Sequence, residues 1–194
     1  NNDDETDKFK TSRSVPFMFK DEVSDAILSA VKTKVQGIET NLYNSKFATA
    51  YNDLDINSVI DQMLIWELTM NREYGDPRSV YMFMNGNGKL CAGPVWDFDR
   101  GTFQNTTNAS NQGNNDRVKP YNEWMYWRSA ESDSDSYIWY RQLAKDPTFV
   151  ATVQARWSVI YPQLQLVSRQ IREYGRTMKA SFEVDSKMWP TDKS

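Results

Sequence analysis

The stretch "VYMFMNGNGKLCAGPVWDFDRGTF", Val80 to Phe103, places two apolar runs on either side of an Asn-Gly-Asn-Gly reversal. Val80, Met82 and Met84 alternate with Tyr81 and Phe83, and Asn and Gly supply the positive φ angles of a tight turn. The middle of the chain is therefore committed to an antiparallel hairpin, and everything else must pack around it. Strand side chains alternate with a period of two. If the second strand continues, Asp97 and Asp99 face one side, with Trp96 and Phe98 on the other. Trp96, Phe98 and Phe103 point to a buried strand, where two carboxylates need a cation, an Arg or backbone donors. A solvated polar strand face has the same pattern.

The flanks read as helices. In "SDAILSAVKTKVQGIETNLYN", Ser24 is a candidate cap, and Ile27, Val31, Val35, Ile38 and Leu42 recur at helical spacing. A second helix starts at the candidate cap Asp55, with Ile56, Val59, Ile60, Met63 and Leu64 on its apolar face. Glu67 falls on that face, which favours a structural carboxylate over a catalytic one. After the hairpin come an Asn- and Gly-rich loop holding sequons at Asn105 and Asn108, an aromatic cluster, and the acidic linker "ESDSDS". "SYIWYRQLA" reads as one helix and "DPTFVATVQARWSVIY" as another, capped by Asp146 with Pro147 at its first position. "PQLQLVSRQIREYGRTMKASF" reads as a third, with Leu164, Val167, Ile171 and Tyr174 on one stripe. The expected architecture is α+β, a helix-rich domain over residues 21–194 around one small antiparallel sheet. Residues 1–20 are expected to form a strand or a polar arm, or the remnant of a preceding lobe, with "VPFMF" as a short apolar patch.

Composition limits the chemistry. With 194 residues, 39% apolar and 13% aromatic, the chain can bury a substantial core. A net charge of −3 argues against nucleic acid as a partner, and no apolar run is long enough to span a membrane. There is no histidine, so Ser-His-Asp and Cys-His sites cannot be assembled. Cys91 is the only cysteine and reads as a small buried hydrophobe. Chemistry must come from carboxylates, amides, hydroxyls, Lys and Arg. Asp97 and Asp99 suit a hard cation such as Mg²⁺ or Mn²⁺. Asn71 and Glu73, just past a helix end, can add an amide oxygen and a carboxylate, or serve as a helix C-cap and a surface charge. Arg72, Arg78 and Arg100 can bind phosphate or neutralise the acids. Trp124, Tyr126 and Trp127 read as core packing or as a sugar-stacking platform.

The composite "INSVIDQMLIWELTMNREYGDPRSVYMFMNGNGKLCAGPVWDFDRGTF" closely resembles the core of the CotH family, the spore-coat-protein-H-like kinases. The resemblance is carried by Glu67-Leu68, the loop Asn71 to Glu73, the strand Ser79 to Phe83, and Gly93 to Asp99. "DPTFVATVQARW" resembles the family's helical C-terminal part, and the likeness runs from about residue 15 onward. It implies the C-terminal part of an atypical protein-kinase-like fold that transfers the γ-phosphate of ATP to Ser or Thr of secreted or spore-coat proteins. On that resemblance Asp97 is the metal-binding acid, Asp99 supports it or holds a second ion, and Asn71 lies with Asp99 at the cofactor. Glu73 stands where many members carry an Asp acting as catalytic acid or base, and its extra methylene changes its reach. Phosphoryl transfer suits a chain without histidine, because its catalysis is mainly positioning and charge neutralisation. No Gly-rich loop or strand-borne lysine precedes residue 20, so the chain is expected to be the C-terminal portion of a larger secreted or cell-surface protein. Two other readings stand beside it. One is a non-catalytic surface module meeting a polysaccharide or a protein partner; the other is a structural acid pair matched to Arg72 or Arg100.

Overall fold

The computed structural model describes residues 8–69, 71, 80–98, 102 and 139–190. Within them the α+β expectation holds: helices dominate, accompanied by two small antiparallel strand pairs. The chain divides into two compact units, Asn1–Ala151 and Thr152–Ser194. No helix among the described residues is long and apolar enough to cross a membrane.

The first unit opens with a hairpin. Strand β1 (Lys8–Lys10) pairs with β2 (Pro16–Met18), Phe9 opposite Phe17. The Thr11 carbonyl accepts from Ser14 N–H at 3.0 Å, and Ser14 takes a left-handed φ of 65° to close the loop. Phe9 and Phe17 stack at 5.3 Å.

Helix α1 (Asp25–Tyr43) starts where Ser24 accepts from Ile27 N–H at 3.4 Å, as a capping serine does. Its apolar stripe is buried only in the second half: Val35, Ile38 and Leu42 are fully enclosed, whereas Ile27 is exposed. A short helix α2 (Phe47–Ala50) leads to α3 (Ile56–Thr69), capped by Asp55 through Ser58 N–H at 3.0 Å. Val59, Ile60, Met63 and Leu64 are buried as their spacing predicts, and Glu67 is half-buried. Each such aliphatic side chain contributes about 1.5–3 kcal/mol on burial.

The hairpin of β3 (Met82–Met84) and β4 (Leu90–Ala92) is present, with Phe83 opposite Cys91. Asn85 builds its turn: its side-chain oxygen accepts from Asn87 and Lys89 N–H, both at 3.0 Å. Gly88 supplies φ +73°, and a Cβ there would meet no atom within 4 Å. Replacing Gly88 with Ala should therefore cost about 1 kcal/mol through backbone strain alone, read as a lower urea midpoint with an unchanged slope.

Strand β4 is buried along its length and pinned to α3's start. Leu90 N–H donates to Asp53 O at 2.7 Å, Asp55 N–H donates to Leu90 O at 2.9 Å, and Ala92 N–H donates to Ser58 Oγ at 3.0 Å. Lys34 pairs with Asp53 beside this junction. The hairpin is thus fixed by backbone bonds to the helix cap, which positions whatever follows Ala92.

"SYIWYRQLA" forms a shorter helix than expected, α4 (Tyr140–Leu143), because Trp139 is left-handed at φ 58°. Residues 136–138 lie outside the described residues. Asp146 caps the next helix through Thr148 N–H at 3.0 Å, with Pro147 at its first position as read from the sequence. Two separate helices were expected around Pro162; instead α5 (Pro147–Thr177) runs through it, followed by α6 (Lys179–Met188). Pro162 and Ser158 are both exposed, so water can reach the Ser158 carbonyl that Pro162 leaves without an N–H.

Candidate functional site

Two of the expected site residues, Asn71 and Asp97, are described; Glu73 and Asp99 lie outside the described residues, as do Arg72, Arg78, Arg100, the Asn-rich loop and the cluster Trp124, Tyr126, Trp127.

The end of α3 sets Asn71. Its N–H donates to Trp66 O at 3.0 Å, turning the chain off the helix, and the residue is only 1% exposed. That bond agrees with the C-cap reading. Its amide nitrogen also donates to Thr102 Oγ at 3.1 Å. Thus Asn71 reaches the far side of the "WDFDRG" segment. Nothing in the sequence pairs Asn71 with Thr102, although Thr102 stands in the same quoted run.

The continuous second strand is overturned. β4 stops at Ala92, and residues 93–98 carry no strand. Gly93, at φ +120°, donates its N–H to Tyr81 O at 2.9 Å, and the Gly93–Pro94 bond is cis. Pro94 has no N–H to continue the ladder. The period-two argument for Asp97 therefore lapses, because it needs extended backbone. Trp96 is 59% exposed rather than buried, with its ring edge-on to Tyr81 at 6.1 Å. Asp97 itself is exposed and left-handed at φ 60°. Asp is one of the few residues that enter this region readily.

Gly93 is bonded to Tyr81 and Thr102 to Asn71, and Asp97 stands between these two positions in sequence. Lys20 lies over the Tyr81 ring at 4.9 Å, bringing a cation from beyond β2 to the same aromatic pair. Sixty-one positions separate Lys20 from Tyr81, and no local pattern predicts the contact. Among the described residues no group of three or more acids or Cys gathers as for a metal. An exposed carboxylate is still a suitable hard donor, since Mg²⁺ takes one or two protein carboxylates and fills its remaining positions with water and phosphate.

Behind the hairpin lies a narrow cleft with about 10 Å³ of free space, lined by Val59, Gln62, Trp66, Met82, Tyr140 and Leu143 among others. That is room for about one water, so the cleft is packing. Burial raises the Tyr140 phenol above its ordinary 10.0. The unfolded chain then releases this proton first, so stability is complete below about pH 10 and falls as pH rises beyond it. The fall from this group is about 1.4 kcal/mol per pH unit. Tyr51 shifts the same way, by burial and then by its 2.5 Å hydrogen bond to Asp146. Urea midpoints taken above and below this range should show the decline, and Tyr140→Phe should make it shallower.

The model of the family described as CotH kinase protein matches residues 2–193. The match takes in the amino-terminal hairpin as well as the helix–hairpin–loop unit that carries the earlier resemblance. No curated protein and no solved structure matches. With nearly the whole length matched, the chain belongs to the CotH kinase family.

Proposed function

We propose that the chain contributes the metal- and substrate-binding part of a kinase that moves the γ-phosphate of ATP to Ser or Thr of secreted or coat proteins. The observation that carries this reading is Asp97, exposed and left-handed, between Gly93 bonded to Tyr81 and Thr102 bonded to buried Asn71, in a chain of this family. Phosphoryl transfer depends on placement more than on covalent chemistry by the protein.

In this reading Asp97 and Asp99 hold Mg²⁺ or Mn²⁺. The ion supplies charge neutralisation at the phosphate oxygens. Asn71 keeps the acid loop in place through Thr102 and stands beside the nucleotide end of the site. Glu73, just past the end of α3, takes the proton from the acceptor hydroxyl. Its longer side chain moves the carboxylate outward relative to an Asp at that position. The protein substrate is secreted or displayed at the cell surface.

The test is calorimetric titration of Mn²⁺, with and without ATP, into the protein and into Asp97→Asn. Asn tolerates the left-handed backbone as Asp does, so the variant removes charge without straining the loop. Binding in the parent that Asp97→Asn loses, strengthened by ATP, supports the proposal. Absence of metal binding in the parent rejects it and leaves a structural acid or a non-catalytic surface module.

A further inference from the structure

The reversal between β3 and β4 reads Asn85-Gly86-Asn87-Gly88, two Asn-Gly pairs in succession. Such a pair is reactive as well as turn-forming. The backbone nitrogen of the glycine can attack the Asn side-chain carbonyl carbon and close a succinimide ring, since glycine has no Cβ to obstruct the approach. In sequence the two pairs are alike. The fold separates them.

At Asn87 the nucleophile is engaged. Gly88 N–H donates to Asn85 O at 2.9 Å, the bond that closes the turn, and Gly88 is left-handed at φ +73°. Attack on the Asn87 side chain must first break that bond. At Asn85 the nucleophile is open, because among the described residues nothing accepts from Gly86 N–H. Gly86 is exposed, and a Cβ built there would meet no atom within 4 Å, so water reaches this peptide.

The carbonyl to be attacked at Asn85 is also polarised. Asn85 Oδ1 accepts from Asn87 N–H and from Lys89 N–H, both at 3.0 Å. Negative charge develops on that oxygen as Cγ becomes tetrahedral, and two fixed backbone donors stabilise it. The hairpin holds the second donor in place, with Asn85 N–H donating to Lys89 O at 2.9 Å.

We propose that Asn85 is a self-modification site, converted in the folded protein to aspartate and isoaspartate with water as the only co-reactant. Gly86 N gives its proton to water and bonds to Asn85 Cγ. The Cγ–Nδ2 bond then breaks, and the nitrogen takes up a proton and leaves as ammonia. Water next adds to one of the two ring carbonyls. Opening the bond from Cγ to the glycine nitrogen leaves an aspartate at position 85. Opening the bond from the backbone carbonyl carbon leaves an isoaspartyl link, with the chain running through Cβ and one carbon longer. No atom is oxidised or reduced. The aspartate keeps an acceptor for the two N–H groups, now charge-assisted.

Peptide mapping by mass spectrometry tests this on the full chain, kept folded at mildly alkaline pH beside the same chain in urea. In the folded chain Asn85 should convert about tenfold faster than Asn87, the ratio set by one backbone hydrogen bond that must break first. In urea the two rates should converge. Gly86→Ala puts a Cβ in the path of attack at a position with room for it and no left-handed φ to strain. It should remove most of the conversion at Asn85 and spare Asn87, with circular dichroism confirming that the variant is folded. Conversion in the folded chain that is equal at the two sites, or faster at Asn87, overturns the proposal. So does a lead of Asn85 that persists unchanged in urea, or an Asn85 that stays intact in the folded chain while the unfolded chain converts.

Discussion

On the proposed function, Asp97→Asn should lower phosphoryl transfer about 10³-fold. The expected size is that of removing one group that stabilises charge developing at transferred phosphate. Asn accepts the same φ of 60°, so the substitution adds no backbone strain. Asp97→Gly serves as the backbone control, since it frees the left-handed position while also deleting the carboxylate. If the acid's role is chemical, both variants lose activity. Should Asp97→Asn retain full turnover, the metal assignment at this residue is wrong. If instead its unfolding free energy drops by several kcal/mol, Asp97 is a structural acid and the Arg-paired reading gains ground.

The second large effect concerns a residue that pattern reading passed over. Glu39 is 1% exposed, the most deeply buried acid among the described residues. Its carboxylate accepts from Trp139 Nε1 at 3.2 Å, and from Ser12 Oγ and Arg13 N–H, each at 3.3 Å. It therefore fastens three separated parts of the chain: the β1–β2 loop, α1 and the entry to α4. Arg13 adds to the same junction by lying over the Tyr43 ring at 3.5 Å. Glu39→Ala leaves three donors without their acceptor and opens a cavity, at an expected cost of about 3–5 kcal/mol. Urea denaturation reads that cost, and Trp139 should lose its buried environment first if the amino-terminal hairpin is released locally. An unchanged midpoint would show that water replaces the carboxylate without loss.

Glu39 also shows how far sequence reading reaches. It follows Ile38 on α1, one step off the apolar stripe, and nothing local separates it from a solvated glutamate. Only the arrival of Trp139, a hundred residues later, encloses it. Asn71 is similar, since its position after α3 was legible, whereas its bond to Thr102 depends on where the hairpin returns the chain. The caps Ser24, Asp55 and Asp146 were legible because a cap is a bond across two or three residues. Errors arose where a single residue changed the backbone. Pro94 and the left-handed Asp97 ended a strand that alternation would have extended, and exposed Pro162 failed to break a helix that its presence seemed to divide.

Helix positions, the Asn85–Gly88 reversal, the apolar faces of α3 and the later half of α1, and membership of the family all follow from short-range pattern and motif. Their physics lies within a few residues: hydrogen bonds to the next turn, allowed φ angles, and side chains repeating with the helix or strand period. The enclosure of Glu39, the bonds of Gly93 to Tyr81 and of Asn71 to Thr102, and Lys20 over Tyr81 belong to the folded chain alone. Each joins residues far apart in sequence, through contacts that exist only once burial has brought their elements together.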